Sequence, residues 1–319
     1  MNNLFTNEKH YLTLNNYLKN LYQEKVFKVS LNGNFSCPNR DGKISTNGCI
    51  FCSEKGSGDF AGNKNLSIKD QFYSVVETLE KKWPNGAYIA YFQANTNTYG
   101  TVEQLRKRYD QIIKDGKKLD DKIKILSIAT RPDCLNAEIL SLIKELNNQI
   151  PVWIELGFQT SNELSALFIN RGYTNDVLVK AITDLKAIGV TVIVHIINGL
   201  PTDTKADMIN TVKYLNKLPI DGIKIHMLHV INNSPLGKLY KENPFSLLTL
   251  EEYVNIVVEQ LRLLPPNIVI HRITGDADKN ELIAPEWTLK KFVVMNEIDK
   301  LMRKENYYQG DLYVQNSRI

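Results

Sequence analysis

Between residues 26 and 264 the chain repeats one pattern six times: a short, continuously apolar, β-branched run, then a longer segment with apolar residues at helical spacing. The runs are VFKVSLNGN (26–34), AYIAYFQA (87–94), IKILSIAT (123–130), VWIELGFQ (152–159), VTVIVHIING (190–199) and GIKIHMLHV (222–230). Runs apolar on both faces belong in a parallel sheet covered by helices, because a sheet with one wet face alternates. The intervening segments read as helices over 67–83, 101–116, 136–149, 174–189, 204–218 and 249–264. Gly116 and Gly189 stand where helix ends favour glycine, Thr174 stands at an N-cap, and Pro132 stops the third run.

Six βα units predict an α/β chain folded as a partial (β/α)6 TIM-type barrel, not a closed eight-fold one. A further run, NIVIHRI (267–273), a helix over 285–305 and a polar tail read as a short C-terminal α/β extension. The expected division is an N-terminal extension (1–24), the barrel core (25–265) and a C-terminal extension covering the barrel (266–319). A length of 319 residues, 43% hydrophobic and 23% charged, suits one large barrel or two average domains. No apolar run reaches the ~20 residues of a membrane span. The N-terminus, MNNLFTNEKHYLTL, lacks the layout of a signal peptide. A cytoplasmic protein without a membrane partner is expected.

Barrels of this kind gather function at the C-terminal ends of their strands. There the sequence places FQANTNTYG (92–100), ATRPD (129–133), ELGFQT (155–160), HIINGLPTDT (195–204), HMLHVINNSP (226–235) and HRITGDAD (271–278). Polar groups and glycines at every such end point to one site. After the first run, on the same rim, comes FSCPNRDGKISTNGCIFCSEKGSGDF (35–60), which holds three of the four cysteines. A structural zinc site wants four ligands, usually as two close pairs. Here Cys49 and Cys52 form one pair and Cys37 stands alone, while Cys134 reads as a small buried residue at a helix start. A three-cysteine zinc site and an iron–sulfur cluster with one iron free of protein both fit this loop.

The loop CPNRDGKISTNGCIFC resembles the cluster loop of radical SAM enzymes. In that superfamily three cysteines hold a 4Fe-4S cluster whose free iron chelates S-adenosyl-L-methionine, and an electron from the cluster releases a 5′-deoxyadenosyl radical. The resemblance implies a 4Fe-4S cluster on Cys37, Cys49 and Cys52, with Phe51 beside it. The eleven residues between the first two cysteines exceed the three of the commonest motif. That spacing is similar to the branch containing the catalytic subunit of Elongator. ELGFQTSNELSALFINRGYT (155–174) resembles the strand-four signature of that branch, which implies cosubstrate contacts from Gln159 and Arg171. IINGLPTDT resembles the segment near the adenine and implies Ile197 and Leu200. GSGDF, ATRPDCL and HRITGDAD…LIAPEW resemble the bacterial YtqA/YhcC group within the branch. The usual Gly-Gly-Glu after strand two is absent, and Gln93, Asn95 and Thr96 stand in its place.

Glu155 fits either an ion pair inside the barrel or a cofactor contact. His195, His226, His229 and His271 fall near strand ends, and His271, Arg131 and Arg272 are the expected catalytic or substrate-anchoring residues, with Asp276 beside them. The Elongator-like branch acts at carbon 5 of the tRNA wobble uridine. The resemblance implies tRNA as substrate, with 5-carboxymethylaminomethyl-uridine, often 2-thiolated, converted to 5-aminomethyl-uridine. Arg131 or Arg272 is then the expected partner of the substrate carboxylate. A small metabolite or peptide substrate, and a non-catalytic iron–sulfur sensor, are the alternatives. An electron donor such as flavodoxin or ferredoxin is implied. The net charge of +4 fits tRNA, with Lys117, Lys118, Lys122, Lys124, Lys290 and Lys291 as phosphate contacts or as solvated helix faces.

Overall fold

A computed structural model describes residues 5–54, 56, 58 and 60–314. The six apolar runs are strands: β1 (Val26–Leu31), β2 (Ala87–Phe92), β3 (Ile123–Thr130), β4 (Val152–Gln159), β5 (Thr191–Asn198) and β6 (Gly222–Met227). The run in the expected extension is a seventh, β7 (Val269–Arg272), paired parallel to β6. The seven lie in sequence order in one parallel sheet, curled into a half-barrel with helices outside it.

Alternation along each strand divides the sheet into two faces. Val29, Leu31, Ile123, Leu126, Ile154, Leu156, Val192, Val194, Ile223 and Ile225 pack outward in the main core under the helices. The inward face is stacked in levels. Ile89, Ile125, Trp153 and Ile193 fill its lower end and pack on Leu18 of the N-terminal helix Leu14–Tyr22, which plugs the barrel from below. Above this plug the inward residues become polar: Lys28, Ser127, Glu155, His195 and Lys224. A barrel filled only for packing would repeat branched apolar layers, so the change of level is where function enters.

Two local expectations need correction. The helix expected over 101–116 spans only Val102–Tyr109. Ile113–Lys114 and Lys117–Lys118 then pair antiparallel across Asp115 and Gly116, whose φ values are 50° and 75°. Two left-handed residues in a row make the tight hairpin turn for which Asp-Gly is suited, and this local signal overrides helical spacing. Thr174 does occupy the N-cap position of helix Asn175–Ala187, but its side chain makes no capping bond. The C-terminal run Lys291–Lys304 is helical as expected, preceded by a 3-10 turn at Glu286–Leu289.

Candidate functional site

The cysteine loop follows β1 and is tied down on three sides. The Thr96 amide donates to the Ser36 carbonyl at 3.2 Å and the Asn95 amide to Gly56 at 2.9 Å, which joins the loop to the end of β2. The Ile50 amide donates to Ile169 at 3.1 Å, and Asn170 Nδ2 donates to the Gly48 carbonyl at 2.7 Å. The Leu236 amide donates to Ile50 at 2.8 Å. Ser57 and Asp59 of GSGDF lie outside the described residues.

Within this frame the three cysteines form no disulfide, are half-buried, and line one cavity of about 530 Å³. Cys49 is hydrogen-bonded to Cys52, and that bond together with burial holds its pKa well above the ordinary thiol value. Arg131 and the Asn39 amide oppose the shift. Among the described residues no three His, Cys, Asp or Glu side chains converge as they would on a single ion. The donor set instead fits a larger group, three thiolates around a mouth that opens into the cavity. Cys134 is buried in the 3-10 turn Pro132–Cys134, and burial raises its pKa to about 12, in keeping with a structural role.

Of the site residues expected from sequence, only Leu200 fails to line this cavity. Leu200 is buried behind Ile197 and Phe51 in a small apolar cluster with Ile169 and Leu236, so it supports the wall and does not face a ligand. Gln93, Asn95 and Thr96 take up the rim at the end of β2.

Gln159 sits on a bulge. Gly157 pairs with His195 and Gln159 with Ile196, so β4 carries one extra residue there. Gln159 adopts φ 72°, a left-handed conformation that needs support from outside. Arg171 supplies it. Its Nη1 donates to the Phe158 and Thr160 carbonyls at 3.1 and 2.8 Å, and its Nε to Tyr173 at 2.9 Å. Nη2 reaches Glu163 at 3.1 Å and Asn175 at 3.0 Å. The Tyr173 hydroxyl donates to the Gly157 carbonyl. All five guanidinium donors thus meet protein acceptors. Arg171 is thus a clasp that fixes the bulge, and it also lines the cavity in which a cosubstrate contact is expected of it.

Arg131 and Arg272, the expected carboxylate anchors, are also engaged. Arg131 Nε and Nη2 form a two-pronged pair with Asp133 at 2.9 and 2.7 Å. Arg272 pairs with Asp276 at 3.0 Å, and Asp276 also accepts from Lys291 at 2.6 Å. Arg131 is thus paired one to one, while Arg272 and Lys291 share a single carboxylate. His271 rests 5.2 Å from the Trp153 ring, and its buried Nδ1 has no partner among the described residues. Burial holds its pKa well below the ordinary imidazole value.

Glu155 is fully buried and takes the ion-pair reading. Its Oε1 accepts from Lys28 at 2.6 Å and Ser127 at 2.7 Å. Its Oε2 faces His195 at 2.8 Å and Lys224. Burial alone would raise its pKa, but Lys224, Lys28 and His195 outweigh it and hold the carboxylate well below the usual range. Glu155 also lines the cavity in which a cofactor contact is expected of it. Lys28, Lys224, Tyr91 and Asn39 escaped the sequence reading. A lysine third in each of VFKVSL and GIKIHM was the available signal, since lysine is almost never buried unless paired.

Profile matches cover most of the chain. The radical SAM superfamily accounts for residues 42–215, and the radical SAM C-terminal domain for residues 220–304. The chain belongs to the radical SAM superfamily. It is 42% identical to YtqA of Bacillus subtilis over 306 residues, covering 96% of this chain and 94% of that one. It is 34% identical to YhcC of Escherichia coli over 290 residues, 91% of each. Elongator complex protein 3 of Schizosaccharomyces pombe is 26% identical over 186 residues, 57% of this chain and 33% of that protein. Elp3 of the archaeon Methanocaldococcus infernus shares the fold with a TM-score of 0.66 at 19% identity, over 89% of this chain and 64% of that one. Enzymes of this superfamily work with a 4Fe-4S cluster and S-adenosylmethionine. No helix among the described residues is long and apolar enough to cross a membrane.

Proposed function

We propose that this radical SAM enzyme binds its 4Fe-4S cluster through Cys37, Cys49 and Cys52 and modifies the wobble uridine of tRNA. The observation that carries the reading is that the three thiols line one cavity together with Lys28, Glu155, Gln159 and Arg131. When bound, the cluster and S-adenosylmethionine supply a 5′-deoxyadenosyl radical that removes a hydrogen atom from a substrate carbon. The chain's own part is to hold and shield. Asn39 donates to Cys49 Sγ, Gln159 reaches over the rim, and Gln93, Asn95 and Thr96 offer amide and hydroxyl groups where the Gly-Gly-Glu is missing. The apolar wall of Phe51 and Ile197 keeps water from that side.

The likeness to Elongator complex protein 3 supports tRNA as the substrate. On the resemblance of the cysteine loop and strand ends to that branch, the group acted on is 5-carboxymethylaminomethyl-uridine. Its methylene lies between an amine and a carboxylate, which stabilises a carbon radical. Loss of that hydrogen atom, then of one electron to an outside one-electron acceptor and of the N–H proton to solvent, would leave an imine, and water would then release 5-aminomethyl-uridine and glyoxylate. An outside donor, such as flavodoxin or ferredoxin, would reduce the cluster. The lysines expected to meet tRNA divide into two sets. Lys117, Lys118, Lys122 and Lys124 precede or begin β3, at the barrel end opposite the cysteine loop, and Lys122 and Lys124 pair with Glu80 and Glu24. Lys291 pairs with Asp276, which lines the cavity, and Lys290 precedes it in the chain, so these two are nearer the site and are the better phosphate contacts.

The test is the nucleoside profile of tRNA from a strain lacking the gene. Accumulation of 5-carboxymethylaminomethyl-uridine and loss of 5-aminomethyl-uridine is expected. Unchanged wobble uridines would leave the radical chemistry standing and remove tRNA as substrate.

A further inference from the structure

We infer that the ionic layer inside the barrel, built by Lys28, Lys224 and Glu155, is a subsite that takes a carboxylate of the substrate. The inference rests on the wobble-uridine reading only for the molecule that carries the carboxylate.

The layer opens into the same cavity as the cysteines. It holds two ammonium groups against one carboxylate. Burial keeps His195, His226 and His271 neutral at physiological pH, so they add no charge. Arg272 on the neighbouring β7 turns to the rim, where it shares Asp276 with Lys291. Tyr91 of β2 and Ser127 of β3 complete the surroundings as neutral hydroxyls. With Lys224 protonated, one positive charge is left over beside Glu155, a costly arrangement away from bulk water unless an anion completes it.

Donor and acceptor counts point the same way. Glu155 accepts two contacts on each oxygen, which leaves it little capacity for a ligand. Each lysine has three donors. Among the described residues Lys28 donates only to Glu155, and Lys224 only to Glu155 and to the Tyr91 hydroxyl at 3.1 Å. The layer can therefore give further hydrogen bonds and can scarcely accept any. Both ammonium groups sit over the Tyr91 ring, 4.6 and 4.5 Å from its centre, which fixes where they aim. The surplus of one charge matches a carboxylate better than a doubly charged phosphate. Arg131 does not compete, because Asp133 takes its Nε and Nη2, whereas Arg272 and Lys291 share Asp276 on the solvent-exposed rim, where an anion is held more weakly.

Burial, opposed by Glu155 and assisted by Lys28 and Arg272, lowers the Lys224 pKa to about 7. An anion beside it would raise that value, so carboxylate binding and proton uptake are linked.

Calorimetry on the full chain tests the subsite with two nucleosides, 5-carboxymethylaminomethyl-uridine and 5-aminomethyl-uridine. The wild type is expected to bind the first roughly tenfold or more tightly, as a charge-assisted hydrogen bond warrants. The preference should come with proton uptake near neutral pH. It should fall to about unity in K224M and K28M and grow in E155Q, while affinity for S-adenosylmethionine, which carries its own carboxylate, stays unchanged. Folded K224M and K28M proteins that keep the full preference would overturn the subsite and leave the tRNA reading intact. Should the lysine variants fail to fold, E155Q decides: weaker carboxylate binding overturns the subsite. If the wild type binds neither nucleoside, the uridine reading fails, and N-methylglycine becomes the probe. Its binding with proton uptake, lost in K28M, supports the subsite, and no binding overturns it.

Discussion

Asn39 donates from one amide nitrogen to Cys49 Sγ at 3.4 Å and to the Asn170 carbonyl at 2.6 Å. It thus couples the second cysteine to the loop that follows the Gln159 bulge. Asn39 is fully buried, and its carbonyl oxygen has no partner among the described residues. Replacing it by alanine removes a donor from a thiolate and leaves the Asn170 carbonyl unpaired, a loss of ~1–3 kcal/mol. Iron bound per chain after anaerobic reconstitution should fall clearly in N39A, and almost completely in C49A. Equal iron in wild type and N39A would remove Asn39 from the support of the cluster loop.

Arg171 separates a clasp from a ligand contact. Lysine keeps the charge but not the planar fork that serves three backbone carbonyls at once. R171K should lose on the order of 3 kcal/mol of stability, since each buried carbonyl left unpaired costs ~1–3 kcal/mol. Thermal denaturation of the protein without S-adenosylmethionine measures this. A direct cosubstrate contact would instead leave the melting temperature of the free protein unchanged and weaken only ligand binding.

The strands were legible because parallel strands buried on both faces must be apolar throughout, and β3 and β4 match their sequence-read limits to the residue. The rim was legible for a related reason: packing does not call for Asn, Gln and Arg at every strand end. The hairpin at Asp115 and Gly116 was hidden by a helical spacing that the turn dipeptide overruled. The roles of Arg171, Arg131 and Glu155 were hidden because a sequence shows that a charged group is present and not what neutralises it. Asp133 stands two residues from Arg131 and was in plain view, whereas Glu155 meets Lys28 and Lys224 only once β1, β4 and β6 curl toward one another.

The buried histidines set an acid limit. Burial lowers His195 and His229 to about 4 and holds His226 and His271 well below the ordinary value. The unfolded chain, with imidazoles near ~6.5, binds protons that the folded chain refuses. Stability therefore falls as pH drops from about 6.5 toward 4, by up to ~1.4 kcal/mol per pH unit for each such group. Lys224, lowered from 10.5 to about 7, has the same sign in its own window, so stability there rises with pH from about 7 toward 10.5. Melting temperature against pH should decline steeply below about pH 6, and H229Q should make the decline shallower. A profile flat down to about pH 4.5 would mean that the imidazoles titrate as if exposed.

Gly157 gives the gentlest test of Gln159. A Cβ at Gly157 would stand 2.9 Å from Gln159 Nε2 and 4.0 Å from the Thr130 carbonyl, so the contact that must yield is the end of a flexible side chain. The backbone of Gly157 is not left-handed, and the carbonyl it offers to Tyr173 is unaffected by an added methyl group. G157A should therefore fold with a stability within ~1 kcal/mol of wild type, in the range of ordinary substitutions away from a core. The methyl group would turn the Gln159 amide out of the cavity. If that amide holds S-adenosylmethionine, affinity should drop about tenfold, the worth of one hydrogen bond of ~1.4 kcal/mol. Equilibrium binding to the reconstituted enzyme measures the change, and Q159A should show a similar loss without a further decrease when combined with G157A. Additive losses in the double variant would mean that the alanine acts on the bulge itself and not through Gln159.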